Sequence, residues 1–142
     1  MRLADHPLHP MLVHFPIAAW SAAVAMDVST RIWSVPVLAV IGSGCVTIGL
    51  SMGALAMIAG YIDYAGLPSQ HPAEKTAITH MSVMAAAWFL FLISLTLRGF
   101  VPERNPSIGV MAVDVAGFIV MLFGAWLGGS LVYHFKVGVD SA

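Results

Sequence analysis

Charge is what this chain has least of. Asp, Glu, Lys and Arg make up 9% of its 142 residues, and hydrophobic residues 59%, whereas a soluble domain carries about a quarter charged residues. Mean hydropathy is +0.89. So few charges cannot cover a soluble surface, and the chain reads as a one-domain integral membrane protein. Six Lys and Arg against seven Asp and Glu form no basic patch, which excludes nucleic acid as a partner. The single cysteine, Cys45, excludes an intrachain disulfide. No Cys-x-x-Cys-His occurs, which excludes a c-type haem attachment. Two histidines four apart on one helix, the common chelating pair, are also missing. His9 and His14 are five apart and would point about 140° from each other on a helix. Serines 21, 43, 51 and 82 sit in apolar runs with no base beside them, so covalent catalysis has no visible machinery. The N-terminus lacks a basic start and a small-residue cleavage site and is not read as a signal peptide.

Apolar length is abundant. A span needs about 20 apolar residues, and four stretches supply them, at about 11–28, 37–62, 77–97 and 108–132. The expected fold is an all-α membrane bundle of two helical hairpins. Pro10 and Pro72 suit opening helical turns, where a missing N–H costs nothing. Pro16 removes the hydrogen bond to the Leu12 carbonyl and should bend the first span near His14. Gly42, Gly49, Gly53, Ala56 and Gly60 form a small-residue stripe on the second span, and Gly117, Gly124 and Gly128 recur on the fourth. Such stripes allow close helix approach, or leave room for a flat macrocycle.

Four spans place both termini on one side of the membrane. All six histidines then gather at one face, with Tyr61, Tyr64, Tyr133 and Asp63. The opposite face carries Asp27, Arg31, Arg98, Glu103, Arg104 and Asp114, where Asp27 and Asp114 are expected to pair with Arg31 or cap helices. Lys and Arg divide equally between the faces, so the positive-inside rule does not choose an orientation. Each half opens with His-Pro and runs into Ala-Ala-Trp, at 18–20 and 86–88. That echo suggests a parallel repeat about an axis along the membrane normal, with His14 and His80 as counterparts.

The opening His-Pro-Leu-His-Pro-Met-Leu-Val-His-Phe-Pro (6–16), Gly60 to Asp63, His80 and the closing Gly-Gly-Ser-Leu-Val-Tyr (128–133) resemble a bacterial membrane family, domain of unknown function 2231. The resemblance spans almost the whole chain and implies a four-span protein of the bacterial inner membrane. Relatives joined to iron–sulphur or cytochrome-like domains hint at electron transfer.

An ionisable side chain inside a span is a functional candidate by default. The first reading is haem b held by histidines from different helices, passing electrons to or from quinone or a partner cytochrome. His14 and His80 are the first candidates as axial ligands, with His134 third. Asp63, Tyr61 and Tyr133 would accept hydrogen bonds behind the ligands. The second reading is a bare zinc, iron or copper ion on His14, His80 and His134. The third is a cofactor-free structural or assembly subunit, in which the histidines bond carbonyls or head groups. The glycine faces suggest a homodimer or a subunit of a larger redox complex in the lipid bilayer.

Overall fold

Each helix starts or stops where its sequence can satisfy, or do without, the backbone groups left over at its end. In a computed structural model of the chain, residues 2–3, 6–33, 35–99 and 101–138 are described, with 2, 3, 6 and 7 by backbone alone. A two-residue antiparallel ladder of β1 (Arg2–Leu3) and β2 (His6–Pro7) leads into α1 (Leu8–Leu12), α2 (His14–Ser29), α3 (Pro36–Ala65), α4 (Glu74–Arg98) and α5 (Ile108–Tyr133). Pro36 opens α3 in its first turn, where no N–H is needed. Ser107 caps α5 by accepting a hydrogen bond from the Val110 N–H at 3.2 Å. Gly99, at φ +60°, ends α4 one residue after Arg98, in a backbone region that favours glycine. The helix is interrupted at Val13 between α1 and α2, within one turn of Pro16.

The helices form four apolar spans, Leu8–Ser29, Pro36–Ala65, Glu74–Arg98 and Ile108–Tyr133. The protein is therefore an all-α, multi-pass membrane protein whose outward-facing Ile58, Phe89, Ile119 and Trp126 meet lipid. α2 packs chiefly on α3 and α4 on α5, while α3 also meets α4 and α2 meets α5. The spans thus form a ring of two hairpins in which α2 and α4 lie across the diagonal.

Side chains from the first helices of the two hairpins meet along the bundle axis in three layers. His9 lies against His80, their ring centres 6.3 Å apart and planes at 85°. Trp20 stacks on Phe91 at 4.6 Å and 7°. Asp27 pairs with Arg98. The second member of each pair follows the first by the same 71 residues, so a parallel repeat is present in the packing. Its register makes His9, not His14, the counterpart of His80, and Phe91, not Trp88, the counterpart of Trp20. The Ala-Ala-Trp strings match letter for letter, but the buried faces set the register, and those are offset by nearly one helical turn.

The small-residue stripes seat these axial side chains. A Cβ on Gly49 would lie 2.3 Å from Trp20 Nε1, and one on Gly117 3.0 Å from Phe91 Cε2. Val46, Leu50, Ala87 and Met121 close the core around the stacked rings.

Candidate cofactor site

The histidine layer is built from four helices. His9 sits on α1, and its Nδ1 lies 2.8 Å from the Ala56 carbonyl of α3. His80 sits in the second turn of α4, with Nδ1 2.8 Å from the Gly124 carbonyl of α5. A carbonyl only accepts, so each Nδ1 must carry the proton and donate it. In a neutral ring that leaves Nε2 with a free lone pair. A backbone carbonyl behind Nδ1 is also the usual device that orients a ligating imidazole and raises its basicity.

Both rings lean on a glycine one turn beyond that carbonyl. A Cβ on Gly60 would stand 2.9 Å from His9 Cε1, and one on Gly128 3.1 Å from His80 Cε1. The two halves therefore repeat one motif: an imidazole, a carbonyl anchor on the second span of the same hairpin, and a glycine seat four residues later. Both histidines are half-buried.

The other candidates lie elsewhere. His14 opens α2 with its side chain exposed. His134 caps the end of α5, is exposed, and packs edge-on against Phe135 at 4.6 Å. Tyr61 and Tyr133 are 64% and 80% exposed and face outward. Asp63 is half-buried three residues past Gly60. His71 accepts the Ala73 N–H at 3.1 Å in the loop before α4, and the side chain of His6 lies outside the described residues. Among the described residues, no three His, Cys, Asp or Glu side chains come together as a metal-holding set.

Sequence reasoning singled out His80 by its place inside a span but did not count His9 among the candidate ligands. A signal pointing to it is the pairing of the two glycine stripes, in which Gly60 and Gly128 hold matching places and each seats an imidazole. The Asp27–Arg98 pair was also missed. Asp27 is 1% exposed and faces the axis. Arg31 follows the end of α2 and turns outward, its Nη2 donating to the Pro106 carbonyl and its Nε approaching Met111 Sδ at 3.1 Å.

The comparisons agree with this architecture. A family model described as predicted membrane protein (DUF2231) matches residues 5–141. No curated protein and no solved structure matches the chain.

Proposed function

Because the chain belongs to that family of predicted membrane proteins, we propose that it is a membrane redox protein binding haem b between His9 and His80. The observation that carries this is the histidine pair itself. Two imidazoles on one iron, with bonds of about 2 Å and about 1.1 Å from each nitrogen to its ring centre, put the ring centres about 6 Å apart. His9 and His80 stand at 6.3 Å, each with Nδ1 anchored to a carbonyl and Nε2 left to ligate.

The donor count favours haem over a bare ion. A porphyrin supplies four ligands and asks the protein for two, whereas zinc or copper takes three or four from side chains. The bilayer burial of both helices would tune the iron's potential. Haem supplies one-electron chemistry; the chain's own part is to hold two neutral imidazoles in fixed tautomers on rigid helices. Electrons would pass between a quinone dissolved in the bilayer and a partner cytochrome. Four spans would put both termini on one side; the proposed setting is the bacterial inner membrane, with the chain paired with itself or with a larger redox complex.

The test is the absorption spectrum of the purified protein, oxidised and reduced, after expression with ample haem. A Soret band with a sharpened α band on reduction is expected, lost in His9→Ala and in His80→Ala and kept in His14→Ala and His134→Ala. Full haem retention in His9→Ala, or no Soret band in the parent protein, would overturn the reading.

A further inference from the structure

The other end of the bundle axis holds a cluster that haem binding does not require. Asp27, Arg98 and Asp114 converge there from α2, α4 and α5, their side chains 3% exposed or less. All five guanidinium N–H groups are committed. Nε donates to Ser94 Oγ at 3.3 Å, Nη1 to Asp27 Oδ1 at 3.2 Å and Ser43 Oγ at 3.4 Å. Nη2 donates to Asp114 Oδ2 at 2.7 Å and also to Asp27 Oδ2.

This leaves one atom and one charge unanswered. Asp114 Oδ1 is buried and has no hydrogen-bond partner among the described residues, and Arg98 has no donor left for it. Two carboxylates against one guanidinium also leave one excess negative charge in an apolar interior, where an uncompensated charge is very costly. Ser94 of α4 turns its hydroxyl to Asp114 but brings no charge, and among the described residues no cation other than Arg98 pairs with either carboxylate. α3 contributes Ser43 and, with Asp27 Oδ1 2.7 Å from where its Cβ would be, Gly42. Arg31, just past the end of α2, is turned to Pro106 and Met111.

We propose that the Asp27–Arg98–Asp114 cluster is a binding site for one exchangeable monovalent cation, a proton or an alkali-metal ion, held at Asp114 Oδ1. Either supplies the single positive charge the cluster lacks, the proton by making Oδ1 a neutral hydroxyl and the alkali-metal ion by taking Oδ1 as a ligand. The site lies within about two turns of the ends of α2, α4 and α5, roughly 27 Å along the axis from the histidine pair at 1.5 Å per residue. It is independent of the haem reading.

Infrared spectroscopy of the full chain in detergent, with sodium and lithium titrations followed calorimetrically, tests this. One protonated-carboxyl C=O band per chain at neutral pH, shifted in D2O and lost in Asp114→Asn, identifies the proton. Saturable uptake of one sodium or lithium ion per chain, lost in the same variant, identifies the metal ion. Arg31→Gln should leave either signal unchanged. The parent protein decides the matter even if Asp114→Asn fails to fold: fully ionised carboxylates with no saturable cation uptake would overturn the proposal.

Discussion

At the scale of single residues, the protein depends on polar side chains placed where lipid-facing helices ordinarily carry none. Arg98 serves two carboxylates at once. Removing it takes from both buried carboxylates the guanidinium they share, so Arg98→Leu should destabilise the fold by about 3–5 kcal/mol. The check is the midpoint of unfolding as a denaturing detergent is titrated into the native micelle. Gly60 gives a second residue-scale test. An added methyl at 2.9 Å from His9 Cε1 must push the ring from its carbonyl anchor, so Gly60→Ala should lose the Soret band. Gly44→Ala, with nothing within 4 Å of the new carbon, should keep it. His80 was legible from its apolar surroundings. His9 was not, because its meaning comes from a glycine and a carbonyl on α3 that follow it by some fifty residues.

At the scale of helices, packing in a bilayer relies on small residues that let large ones approach, since lipid is as apolar as a side chain. Gly49 and Trp20 are the clearest case. Gly49→Ala drives a methyl into the indole and should cost about 1–3 kcal/mol in the same detergent titration. Trp20 Nε1 has no hydrogen-bond partner among the described residues, so Trp20→Phe should cost less than Trp20→Ala, whose loss of a core aromatic is worth about 3–5 kcal/mol. Equal costs for the two would mean the indole has a polar partner or an irreplaceable fit. The spans could be read from composition, and an irregularity beside Pro16, seen as the interruption at Val13, from proline's missing N–H. Which side of each glycine stripe met which ring could not, because every stripe offers the same smooth surface to several neighbours.

At the scale of the whole molecule, the fold is two hairpins joined by the 66–73 loop and by three axial pairs. Each hairpin packs mainly within itself, so the halves divided in that loop should co-purify when expressed together. His9 and His80 belong to different halves, and the haem spectrum should therefore appear only with both present. Two halves that never associate would show that the axial pairs contribute less than the loop.

Sequence alone determined the membrane class, the four spans and the crowding of histidines at one end, because apolar length and charge scarcity act locally and need no partner. The tertiary structure alone decided that His9 rather than His14 meets His80, and that Arg98 rather than Arg31 answers Asp27. Those pairings depend on rotational register between diagonal helices. A shift of one turn exchanges the residues on the axis without altering any span's composition.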